Sequence, residues 1–149
     1  MSTDRIEKTI VLRAPRSRVW RALAQADEFG AWFGVALEGV FAPGARLAGH
    51  FTTPDHKHLS MEITVEQVEP ERLLSYRWHP YAVEPDVDYA DEPTTLVEFH
   101  LADVADGTQL TVVESGFDGI PLARRATAFR MNEQGWAEQL TNIARYVAA

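Results

Sequence analysis

The sequence predicts an α+β fold: a curved antiparallel sheet of about seven strands against one long C-terminal helix, with two short helices after the first strand. Three observations predict it. Six consecutive short segments between residues 35 and 117 are rich in β-branched or aromatic residues and punctuated by Pro, Gly or Asp. The last 29 residues, 121–149, carry apolar side chains at helical spacing. The chain also begins with a strand-like segment that runs straight into a helical one.

Taken in order, RIEKTIVLRA alternates charged with β-branched residues and reads as the first strand. In PRSRVWRALAQA, Pro15 suits a first helical turn, and Val19, Trp20 and Leu23 share one face. DEFGAWFG follows as a short helix or turn that ends at Gly34. VALEGVF, RLAGHF, LSMEITVEQVEP and ERLLSYRWH then form an antiparallel meander, and TTLVEFHLAD joins GTQLTVVESGF through ADG as a hairpin. The last segment, PLARRATAFRMNEQGWAEQLTNIARYVAA, is one helix. No internal repeat or interdomain linker interrupts the chain, so residues 1–149 are expected to form a single domain.

Composition narrows the function. A formal charge of −8, with 14 scattered Lys and Arg residues, argues against a nucleic-acid partner or an anionic membrane surface. The absence of cysteine excludes disulfides, thiolate catalysis and cysteine-ligated metal, and fits a cytoplasmic protein. No apolar run approaches the roughly 20 residues of a membrane span, and MSTDRIEKT has no signal-peptide core. No nucleophile elbow, phosphate loop or metal motif occurs, so neither a cofactor nor a metal is expected, and an enzyme is not the leading reading. Asp55, His56 and His58 read as a solvated hairpin tip rather than a metal set. Residues 80–93, acidic with three prolines, lack EF-hand spacing and read as a solvated loop, at the edge of a pocket mouth or over the surface and more mobile than the strands beside it.

Strand alternation supplies the candidate interior. It turns Leu110, Val112 and Glu114 to one face, with Val97, Phe99 and Leu101 on the next strand and Leu74, Tyr76 and Trp78 beyond it. Met61, Ile63 and Val65 complete an apolar wall. On the last helix, Phe129, Trp136, Leu140, Ile143 and Val147 form a stripe whose spacing carries Glu133 with it. Two carboxylates, Glu114 and Glu133, would then face an apolar interior, an arrangement that could split their pKa values for acid–base work. Gly135 weakens the same helix, and close packing of that helix is favoured over a hinge as its reason.

Four stretches together, VWRAL with WFG, VEPERLLSYRW, GTQLTVVESGF and GWAEQLTNIARYV, resemble the START-like, helix-grip (SRPBCC) superfamily. The nearer likeness is to its branch related to the C-terminal domain of the activator of the ninety-kilodalton heat-shock chaperone ATPase. The resemblance implies a cavity between sheet and helix that holds an apolar, aromatic or lipid-like small molecule. Trp32, Phe33, His50, Met61, Tyr76 and Trp78 are the candidate lining residues from the first half of the chain. Phe99, Glu114, Phe117, Phe129 and Glu133 are those from the second. The rival readings are a cyclase- or hydrolase-like enzyme that uses the cavity carboxylates, and a co-chaperone-like module with a chaperone or homodimer contact.

Overall fold

The computed structural model describes residues 4–54, 59–80 and 91–148. Strand β1 (Arg5–Leu12) leads into helices α1 (Arg16–Ala24) and α2 (Ala26–Phe33). Strands β2 (Val35–Glu38), β3 (Arg46–Phe51), β4 (Ser60–Glu69), β5 (Leu73–Trp78), β6 (Thr95–Val104) and β7 (Gly107–Ser115) follow. A 3-10 turn (Phe117–Gly119) then leads into α3 (Leu122–Ala148). Every strand pairing is antiparallel, in the order β1-β7-β6-β5-β4-β3-β2. Because β1 and β2 occupy opposite edges, α1 and α2 must carry the chain across the sheet from one edge to the other. The α+β helix-grip fold expected from the sequence is the fold observed.

Local chemistry accounts for the elements. Pro15 lies at the N-cap of α1 rather than in its first turn, and its carbonyl accepts from the Arg18 and Val19 amides at 3.0 and 3.1 Å. Gly34 ends α2 in the left-handed region (φ 89°), a conformation that costs glycine no Cβ clash, and the chain turns at once into β2. A register shift between Val65 and Gln67 bends β4, as a bulge does, and helps the sheet curve. On the concave face, Met61, Ile63, Val65, Leu74, Tyr76, Val97, Phe99, Leu110 and Val112 are all buried.

The helix layer is tied together by charge as well as packing. Glu28 of α2 accepts from Arg18 at 2.8 Å, from Arg21 at 2.7 Å and from the Tyr146 hydroxyl of α3 at 3.0 Å, while the Arg18 guanidinium lies 4.9 Å from the centre of the Tyr146 ring. Burial alone would push the Glu28 pKa up. The hydrogen bonds from Tyr146 and Arg18 and the charges of Arg21 and Arg18 outweigh it and hold the carboxyl below its ordinary range.

The buried line on α3 differs from the stripe expected from the sequence. It runs Ala128, Trp136, Leu140, Ile143, Val147, with the half-buried Asn132 on the same line between the first two. Glu133 is therefore exposed, and Phe129 sits half-buried against Phe117, their rings 5.3 Å apart. The polar residue drawn onto the line is Asn132, which donates both of its amide hydrogens, to the Pro80 and Ala128 carbonyls, each at 2.8 Å. His50 is likewise exposed. It pairs with Ala36 and Ser60 on a strand whose inward positions are Leu47, Gly49 and Phe51, so alternation turns it outward.

Candidate functional site

Where α3 crosses the sheet, aromatic rings fill most of the space between them. Trp78 of β5 and Trp136 of α3 lie 5.8 Å apart, inclined by 31°. Phe33, from the last turn of α2, stands edge-on to both at 6.2 and 6.1 Å, and Phe51 of β3 is 6.2 Å from Phe33. All four rings line an open cleft of about 320 Å³. Asn132, Gly135, Gln139 and Asn142 of α3 line it as well, with Met131 and Glu138.

Behind the rings lies Glu114, fully buried. The indole N–H of Trp78 donates to its Oε2 and that of Trp136 to its Oε1, both at 2.8 Å, and the Thr95 hydroxyl donates to Oε2 at 2.6 Å. Indole N–H is a donor only, so two such groups on one carboxyl require acceptor oxygens and suit the ionised form. Burial nonetheless pushes the Glu114 pKa upward, and the three hydrogen bonds only partly offset it. The Tyr76 hydroxyl is buried nearby and has no hydrogen-bond partner among the described residues. Its pKa is raised well above the ordinary 10.0, first by burial and then by the charge of Glu114.

The expected lining residues separate into groups. Phe33 and Trp78 line the cleft. Trp32, Met61, Tyr76, Phe99, Glu114 and Phe117 are no more than 6% exposed and belong to the packed interior, because rings from α2, β5, β6 and α3 meet one another there. Trp32 is fixed by its indole donating to the Ala22 carbonyl at 2.8 Å. Glu114 and Glu133 do not come together: one is buried behind the tryptophans and the other faces outward. Sequence reasoning missed Phe51, Asn132, Gln139 and Asn142. Phe51 shares the inward parity of Leu47, so alternation held its signal. The amides had none, since polar residues beside a helical stripe are ordinary surface until the helix docks.

The cleft also answers the question of Gly135. A Cβ built there meets nothing within 4 Å, so close packing is not its reason. The missing side chain instead keeps the α3 wall of the cleft low. Gly135→Ala is expected to stabilise the protein by up to about 1 kcal/mol, from helix propensity alone; matched denaturant titrations check this, and destabilisation would contradict the open geometry.

Asp55, His56 and His58 lie outside the described residues, and so does most of the acidic segment, residues 81–90. The flanks of that segment are held on or near α3: Asn132 binds Pro80, Arg124 pairs with Glu92, and the Glu92 carbonyl meets the His79 ring at 3.1 Å. Among the described residues no three His, Asp or Glu side chains gather as a metal set, and no helix is long and apolar enough to cross a membrane.

A curved antiparallel sheet gripping a long C-terminal helix is the START-like, helix-grip fold. Within that fold class the chain belongs to the activator of Hsp90 ATPase homolog 1-like family, whose sequence profile matches residues 13–148. The fold is shared with protein MLL2253 of Mesorhizobium loti, at a TM-score of 0.76 and 22% identity over 97% of this chain and 96% of that one. It is shared equally with NE0264 of Nitrosomonas europaea, at a TM-score of 0.76 and 16% identity over 98% and 95%. DynU16, a protein of the dynemicin biosynthetic locus, is 26% identical at a TM-score of 0.76; 98% of this chain aligns with 48% of that longer one. A comparison with curated proteins gave no match.

Proposed function

We propose that this protein binds a small molecule with a flat aromatic or compact apolar body in the cleft between α3 and the β3–β5 side of the sheet. The observation that carries this reading is the pair of cleft-lining tryptophans pinned by one buried carboxylate. Burying an ionisable group is costly, and here it serves to hold two ring faces in fixed orientation at a surface opening. The cleft's volume falls at the small end of ligand sites, and its makeup, apolar rings with a few amides, is typical of them. An acid–base role for Glu114 is not supported, because both tryptophans stand between it and the opening.

Gly135→Leu provides the test. Its side chain would project from an open position on α3 into the cleft and block it without disturbing the core. The neutral fluorophore N-phenyl-1-naphthylamine is expected to bind the wild type with enhanced emission, and the variant is expected to lose about tenfold or more in affinity while unfolding at no lower temperature. Equal binding by both proteins would place the probe elsewhere and remove the basis for the reading. Binding by neither would favour the surface-interaction role that the family's name carries.

A further inference from the structure

We infer that the ligand of this cleft is an organic cation, a quaternary or protonated nitrogen carried on a flat apolar body. This rests on the binding reading above and names the chemistry the site selects. Three independent features point to it. Trp78 and Trp136 both direct their N–H edges to Glu114, and a carboxylate on that edge raises the electron density of the ring faces, which are what a cation contacts. Phe33 and Phe51 line the same cleft, so a cation lying in it would have four aromatic rings about it.

The second feature is the polar wall. Glu138 is the one charged side chain among the described residues that line the cleft, and no basic residue lines it. Asn132 uses both amide hydrogens on backbone carbonyls, so what it still offers a ligand is oxygen, while Gln139 and Asn142 each spend one amide hydrogen inside the protein, on the Phe33 carbonyl and the Gln139 amide oxygen, and keep the other. The third is the whole-molecule charge of −8, which draws cations toward the protein and disfavours anions.

The experiment compares two probes of one shape: the N-methylquinolinium cation and neutral 1-methylnaphthalene. Binding of each to the wild type, Gly135→Leu and Glu138→Gln is measured by ligand-observed NMR with calorimetry. The cation is expected to bind the wild type about tenfold more tightly than its neutral counterpart. Gly135→Leu should abolish that binding, and Glu138→Gln should shrink the cation-to-neutral ratio about two- to threefold. Neutral binding as tight as the cation's, and blocked by Gly135→Leu, would overturn the inference and leave the binding reading standing. Cation binding that survives Gly135→Leu would assign it to the acidic surface and overturn the inference. No binding of either probe would overturn both.

Discussion

Replacing Glu114 with Gln is expected to destabilise the protein by about 2–4 kcal/mol, because an amide offers one acceptor oxygen where three donors converge on two. Trp78 and Thr95 meet at Oε2, and Trp136 alone at Oε1, so either amide orientation sets an N–H₂ group against an indole N–H. A buried donor left unsatisfied forfeits its full hydration. Loss of the near-ultraviolet tryptophan signal should accompany the fall in denaturant midpoint. A variant as stable as the wild type would show that the carboxylate is not what orients the rings.

The same substitution carries a pH signature. Burial raises the Glu114 pKa above its ordinary 4.5, so the native protein takes up this proton more readily than the unfolded chain does. The contribution is fully present below pH 4.5 and is lost as pH rises through the native value. Glu28 acts in the opposite sense, since its native pKa is lowered: its contribution holds above 4.5 and is lost as pH falls through the native value. Stability measured against pH should therefore lose the Glu114 slope in Glu114→Gln and keep the acid-side fall due to Glu28.

Gly30→Ala is expected to destabilise by an amount at the upper end of about 1–3 kcal/mol, although alanine is the better helix former by about 1 kcal/mol. The position is inside α2, where a Cβ would lie far within van der Waals contact of the Val35 carbonyl oxygen and 3.5 Å from the Leu37 amide nitrogen. Both neighbours are backbone of β2 and cannot swing away as a side chain could. Relief would require α2 to lift from the sheet edge, and with it Phe33, whose carbonyl is held by Gln139 at 2.9 Å. Cleft binding should weaken together with stability. Gly30→Ala and Gly135→Ala thus make the same exchange in two helices with opposite expected signs, and thermal unfolding of the pair measures it. A neutral Gly30→Ala would mean that α2 docks less closely than the structure shows.

Much of this was legible in the sequence because it follows from local periods. Alternation with a period of two turned Met61, Ile63 and Val65 inward, Tyr76 and Trp78 likewise, and placed Glu114 facing α3. Each strand needed only one apolar residue to set its parity. Parity alone left His50 open, and pairing with β2 and β4 decided it. On α3 the period is less forgiving. Candidate stripes through Phe129–Glu133 and Ala128–Asn132 differ by one residue, about 100° around the helix, and composition does not separate them.

The sequence by itself determined the order of elements, the inward faces of the strands and the family, because these rest on interactions between residues close in the chain or on a pattern spread along all of it. Tertiary structure alone decided how α3 is rotated on the sheet. Contacts 22 to 106 residues apart fix that rotation: Trp136 on Glu114, Asn132 on Pro80 and Gln139 on Phe33. Once it is fixed, Glu133 goes to the surface, Asn132 to the line, Gly135 to an open wall, and Glu114 behind two tryptophans. A one-residue rotation of a helix changes little in its own hydrogen bonds but exchanges every partner it meets, so the position of the cleft is set by docking and not by local sequence.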